Sequence, residues 1–184
     1  MFASLLSMED PDQFSNNADP PASSLTFDDL YERYATDVLR VSYYYLGDRQ
    51  RAEDVTQDVF VRLITSRPVL AEGREKAWLL KVALNRCRDL WRGAWLKKVV
   101  LGHPAFELFP ADDEIGRVAE NTALAEAVNR LPTGFKEVVL LHYYQGYGVA
   151  EIASMLDISE GTVSSRLSRA RTRLQNDLKG DGMS

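Results

Sequence analysis

Cysteine and histidine are scarce in this chain. Cys87 is the single cysteine among 184 residues, and His103 and His142 are the two histidines. One cysteine closes no internal disulfide, and no cysteine–histidine spacing of the kind that holds zinc is present. No nucleophile–base pair and no Gly-rich phosphate loop occurs either, so enzyme chemistry finds no support, no catalytic residue or metal is expected, and both histidines read as structural or surface residues. Long apolar runs are missing, whereas a membrane-spanning helix needs about 20 such residues. The N-terminus has no positively charged start before its short apolar patch, which is not the layout of a secretory signal. Together these absences predict a cytoplasmic chain without membrane insertion.

Positive charge is also in short supply. Lys and Arg number 22 against 27 Asp and Glu, a net charge of −5. The distribution is uneven. Residues 1–60 hold twelve acidic and four basic side chains, residues 74–98 hold two acidic and eight basic, and residues 99–130 hold six acidic and two basic. Such blocks predict separate surfaces for separate partners. They also predict weak DNA binding by the free chain, because phosphate neutralisation supplies most nonspecific affinity.

What is abundant is helical periodicity, and it is most informative near the C-terminus. Val149 to Leu156 reads as a short helix with Ile152, Ala153 and Leu156 on one edge. Asp157, Ile158 and Ser159 break it: Asp tolerates the left-handed backbone of a tight turn, Ile158 is an apolar plug, and Ser159 is an N-cap followed by the acidic Glu160. Residues 160–178 then form a second helix with Val163, Leu167, Ala170 and Leu174 on its buried stripe. Thr162, Arg166, Arg169 and Arg173 line one flank, while Ser164, Ser165, Ser168 and Thr172 complete the polar surface. Guanidiniums reach phosphates or guanine edges, and small hydroxyls reach bases without bulk. A charged amphipathic surface helix is the plainer reading of the basic helix alone. The short helix, polar turn and capped basic helix together point to a helix-turn-helix.

Here a resemblance becomes specific. Glu-Ile-Ala at 151–153, Leu-Asp-Ile-Ser at 156–159 and Gly-Thr-Val-Ser-Ser-Arg-Leu-Ser-Arg-Ala-Arg at 161–171 resemble region 4 of bacterial sigma factors of the extracytoplasmic-function class, in the sigma-70 family. The resemblance implies that this helix reads the upstream (−35) promoter element through Thr162, Ser164, Ser165, Arg166, Ser168, Arg169 and Arg173. Asp157 stands where many members carry Gly.

Upstream, residues 1–24 hold Pro11, Pro20, Pro21 and four acids and read as a mobile acidic tail. Thr26-Phe27-Asp28-Asp29 has the form of a capping box. Phe27, Leu30, Tyr31, Tyr34, Val38, Val41 and Tyr45 then keep helical spacing until Gly47, and Asp48 caps the next helix. That helix, residues 49–65, turns Ala52, Val55, Val59 and Leu63 inward and Asp54, Gln57, Asp58 and Val61 outward. An ordinary solvated acidic face is one reading of the outward set. The run at 52–63 is similar to region 2.2 of the same family, which implies that this set docks on core RNA polymerase.

Pro68 closes the second helix, and a loop with Gly73 leads to a third at residues 75–92. Its buried side is Leu79, Ala83, Cys87 and Leu90. Trp78, Lys81, Asn85, Arg88 and Arg92 lie opposite, an aromatic and an amide among cations, which suits a single strand of nucleic acid. A solvated basic stripe with Trp78 in the core is the alternative. Residues 77–92 are similar to regions 2.3 and 2.4, which implies melting and reading of the downstream (−10) element, with the preceding loop capturing a flipped base.

Residues from 94 to about 118 read as an irregular linker. Residues 119–131 form a helix with Leu124, Ala127, Val128 and Leu131 inward, and residues 133–144 form another with Phe135, Val138, Val139 and Leu141 apolar. The expected fold is therefore all-α: two small helical domains, residues 25–95 and 119–178, joined by a flexible linker at 96–118. The resemblance covers those two domains. It implies a sigma factor that binds core RNA polymerase and promoter DNA, needs no cofactor of its own, and is held by an anti-sigma factor. A self-sufficient helix-turn-helix regulator with an N-terminal sensor or dimerisation domain is the alternative.

Overall fold

Capping residues set the helix boundaries in the computed structural model, which describes residues 21–100 and 122–181. Thr26 opens α1 (Phe27–Leu46): its hydroxyl accepts from the Asp29 amide at 3.2 Å while the Asp29 carboxylate accepts from the Thr26 amide at 2.8 Å. The pair satisfies two of the orphan donors that every helix start leaves. Gly47 ends α1 in the left-handed conformation, φ 67°, where a Cβ is disfavoured. Asp48 caps α2 (Arg49–Ser66) through the Arg51 amide. Arg67, also left-handed, closes α2, and Pro68 cannot continue it.

The loop between α2 and α3 (Glu75–Val100) is held by main-chain partners. Ala22 pairs with Ala71 as an antiparallel bridge, the Ser23 amide donates to the Leu70 carbonyl at 2.7 Å, and the Glu72 amide donates to the Pro21 carbonyl at 2.8 Å. The arm preceding α1 thus acts as a one-bridge strand against this loop.

Helix α3 runs on to Val100, through Gly93, so the irregular linker expected from residue 94 does not begin there. The run 94–100 keeps helix-favouring residues such as Ala94, Leu96, Lys97 and Lys98, and one exposed Gly costs a helix only about 1 kcal/mol. The remainder of the expected linker, the tail before residue 21 and His103 lie outside the described residues.

The second half consists of α4 (Thr122–Arg130), α5 (Thr133–Val139) continued by a π-helical turn at Leu140–Tyr144, α6 (Val149–Leu156) and α7 (Glu160–Asp181). Helix α1 packs on α2 and α3; α7 packs on α4, α5 and α6. The halves are not separate bodies. Helix α1 contacts α4, α3 contacts α6, and one continuous apolar cluster runs from Val41, Val59 and Leu84 to Val138, Ile152 and Leu167.

Most expected core positions are buried or half-buried, but three are exposed. Phe27, Tyr31 and Leu124 are 37 %, 49 % and 41 % exposed. Each lies in the first turns of its helix; Phe27 and Tyr31 cluster with Phe60 of α2 as a ring triad that leaves both rings partly open to solvent.

Cys87 is fully buried, and burial pushes its thiol up to about 12. The thiolate is the reactive form. Iodoacetamide at mildly alkaline pH should therefore leave the native chain unmodified and alkylate it once in urea, read by intact mass. Rapid labelling of the native protein would contradict the closed α1–α2–α3 core.

Candidate nucleic-acid interface

Helix α7 owes its position to three local devices. The Glu151 carboxylate accepts from the Gly148 amide at 2.9 Å and starts α6. Asp157 ends α6 in the left-handed conformation, φ 56° and ψ 50°, with its amide bonded to the Ala153 carbonyl. Ser159 caps α7, its hydroxyl accepting from the Thr162 amide at 3.1 Å. Val163, Leu167 and Ala170 are buried, and Leu174 is partly so, which fixes the rotation of the helix. Ser164, Ser165, Ser168, Arg169 and Arg173 are exposed as a result.

The remaining members of the expected reading set are less open. Thr162 and Arg166 are half-buried. The Thr162 hydroxyl lies 2.8 Å from that of Ser159, and the Arg166 guanidinium lies over Gly134, where a Cβ would meet its Nη1 at 3.0 Å. Arg173 covers the Phe135 ring at 5.2 Å. Arg171, outside the expected set, donates to the Tyr143 hydroxyl at 2.8 Å and braces the helix from its other side.

On α3, Trp78 and Lys81 are half-buried, and Asn85 and Arg92 are exposed. Trp78 packs against the core and is neither fully buried nor fully exposed. Arg92 lies 4.0 Å from Asp89. Arg88 is half-buried. It donates from Nη1 to Asn85 Oδ1 at 3.2 Å, and from Nε and Nη2 to Glu137 Oε1 at 2.9 and 2.8 Å.

Glu137 belongs to α5, and its side chain is 3 % exposed. The Tyr45 hydroxyl donates to the same Oε1 at 3.4 Å. Beside it, Lys136 is 4 % exposed; its Nζ donates to the Tyr45 carbonyl at 2.9 Å and stands 5.3 Å from the Tyr45 ring centroid. Loss of hydration pushes the Lys136 ammonium down to about 8 and raises the Tyr45 phenol. Arg88, Glu137 and Arg166 line one cleft of about 270 Å³ together with Gly134, Leu156 and Ile158. Sequence reasoning missed this cluster. Lys136 and Glu137 are charged neighbours next to an apolar pair, and nothing in that pattern distinguishes a buried pair from a solvated one.

The outward face of α2 is as the spacing requires. Asp54, Gln57, Asp58 and Val61 are all exposed, Val61 by 57 %. Asp58 accepts from Arg86 of α3 at 2.7 Å, which ties this face to the α3 surface. Ile64 extends it with a further exposed apolar side chain. His142 is structural, with Nδ1 2.8 Å from the Tyr147 carbonyl.

Residues 30–97 match sigma-70 region 2, and residues 121–174 match sigma-70 region 4. The chain is 32 % identical over 161 residues to the ECF RNA polymerase sigma factor SigL of Mycobacterium tuberculosis, covering 84 % of this chain and 89 % of that one. It is 28 % identical over 163 residues to the ECF RNA polymerase sigma factor SigM of Bacillus subtilis, covering 82 % and 94 %. Among solved structures, the sigma factor RpoE of Bartonella quintana, in complex with the anti-sigma factor NepR, shares the fold at TM-score 0.70 and 22 % identity, covering 83 % of this chain and 96 % of that one. CnrH, in complex with the cytosolic domain of CnrY, superposes at TM-score 0.59 with 27 % identity, covering 84 % and 88 %.

The left-handed Asp157 sets the angle between α6 and α7, and a β-branched residue is strongly disfavoured there. Asp157→Val should cost about 1–2 kcal/mol in thermal or urea unfolding, whereas Asp157→Gly should cost nothing. Equal stability of all three would show that the turn is not constrained as described.

Proposed function

Because the chain belongs to the extracytoplasmic-function sigma factors of the sigma-70 family, we propose a division of labour between its halves within promoter-specific transcription initiation. The first half, residues 25–95, grips core RNA polymerase and opens the −10 element. The second, residues 119–178, reads the −35 element. The observation that carries this reading is α7: a capped helix whose buried stripe leaves Ser164, Ser165, Ser168 and Arg169 exposed on one surface. Such a helix fits a major groove, where Arg reads guanine and Ser reads either base type.

The exposed Asp54, Gln57, Asp58 and Val61 form the docking face for polymerase. Asp and Gln supply polar contacts around an apolar centre at Val61, the usual anatomy of a protein interface. Trp78, Lys81, Asn85, Arg88 and Arg92 form the face for the opened strand. A protein without fuel opens DNA by binding the unpaired form more tightly. Extruding a base costs a few kcal/mol, and stacking returns about 1–3 kcal/mol per base. Polymerase performs the chemistry, so the chain acts as an initiation factor in the cytoplasm, where its template lies. The match of residues 30–97 to region 2 takes the place that a sensor or dimerisation domain would need. The RpoE and CnrH structures are complexes with protein partners, and an anti-sigma factor covering both halves is the corresponding partner here.

Arg169→Ala should weaken holoenzyme binding to −35-containing promoter DNA by roughly tenfold, the value of one base contact, while co-elution with core polymerase stays intact. Lost co-elution would contradict the split between halves. Asp54→Lys with Asp58→Lys should abolish co-elution in gel filtration with the helical circular dichroism unchanged. A normal holoenzyme from that double variant would remove the docking face.

A further inference from the structure

One concave surface of the first half is apolar and open. A groove of about 480 Å³ lies between the arm before α1, the first turn of α1, the last turn of α2 and the loop that follows. Leu25, Phe27, Ile64, Val69 and Leu70 line it, and Phe27, Ile64 and Val69 are exposed. Single exposed apolar side chains are ordinary, whereas several that share one surface mark a place where something docks. The volume falls in the range of natural binding clefts, about 300–1,000 Å³. Arg67, at the end of α2, is the one charged residue of the lining.

The position of the arm says what is near enough to fill the groove. Ala22 and Ser23 form part of its wall, and the Glu72 amide holds the Pro21 carbonyl beside the loop at 2.8 Å. The twenty residues before Pro21 are therefore delivered to the edge of the groove. Their sequence is segregated. Residues 1–8 read Met-Phe-Ala-Ser-Leu-Leu-Ser-Met and carry no charged side chain. Phe2, Leu5 and Leu6 keep the i, i+3, i+4 spacing by which a short helix presents apolar anchors to a groove. Residues 9–20 carry Glu9, Asp10, Asp12 and Asp19 and no Lys or Arg.

We propose that the groove is filled by this chain's own segment Phe2–Met8, with Glu9 and Asp10 brought to Arg67. The connecting residues 9–20 span at most about 40 Å when extended, ample to turn back over a groove whose wall anchors them. A tether of that length holds the segment at an effective concentration in the millimolar range. Three apolar anchors then suffice where a free peptide would bind weakly, and a second copy or a separate protein would have to displace them. Val69 and Leu70 belong to the loop that leads into α3, so the docked segment fastens through side chains a loop that residues 21–23 hold through the main chain. Asp54, Gln57 and Asp58 are not part of the lining, so this docking leaves their face of α2 free.

Hydrogen exchange of the full chain at low salt, read by mass spectrometry, tests this. Peptides covering residues 63–72 should take up deuterium about tenfold more slowly in the parent chain than in Leu5→Asp with Leu6→Asp. Peptides covering residues 2–8 should lose protection in the same variant. Arg67→Glu alters the groove rather than the segment. It should speed uptake at both places, and adding Glu9→Lys with Asp10→Lys should restore slow exchange. The two changes lie in different parts of the chain, so a folding defect in one, seen by circular dichroism, does not decide the matter. Equal uptake in the parent and in the folded Leu5, Leu6 variant overturns the proposal and leaves the groove to a separate partner. Protection that disappears on dilution also overturns it, because the segment then comes from a second copy.

Discussion

A carboxylate and an ammonium on consecutive residues are both nearly excluded from water, and the arrangement of this molecule depends on how they are satisfied. Glu137 cannot be buried ionised without a cation, and Arg88 supplies it from a helix 49 residues away in sequence. Lys136 cannot be buried without an acceptor, and the last turn of α1 supplies the Tyr45 carbonyl. Breaking a buried ion pair by removing one partner generally costs about 3–5 kcal/mol, so these groups force α1, α3 and α5 into one arrangement. Apolar packing alone would bring the halves together without fixing their register; the directional bonds around Glu137 fix it.

The same design explains how an acidic chain can handle DNA. Many of its cations lie on α3 and α7, two of them, Arg88 and Arg166, in one cleft with Glu137, which neutralises part of that charge internally. The acidic α2 face is left outside. Long-range attraction to duplex DNA is weak in such a distribution.

Helix boundaries were the most legible part of the sequence, because each is written in one or two residues with a definite backbone requirement. Thr26 with Asp29, Gly47, Asp48, Asp157 and Ser159 all occupy the capping or turn positions their chemistry predicts. The outward faces of α2 and α7 followed from the buried stripes in the same way. The periodic pattern failed at helix starts, where Phe27, Tyr31 and Leu124 keep the spacing of a core but stay exposed. It failed again at residue 94, where an irregular linker was expected although helix formers carry α3 on to Val100. The burial of Lys136 and Glu137 was illegible for a deeper reason. Which charged residues are desolvated is decided by the docking of the two halves, and neither half records that docking in its own pattern.

The pairing of the arm before α1 with the loop after α2 has an evolutionary side. Leu70, Ala71 and Glu72 are held through main-chain atoms of residues 21–23, and Val69 beside them is 89 % exposed. Backbone bonds of this kind are indifferent to side-chain identity. Val69 and Glu72, both exposed, can therefore be exchanged while the loop keeps its path into α3, so this short segment tolerates sequence change at little cost to the fold.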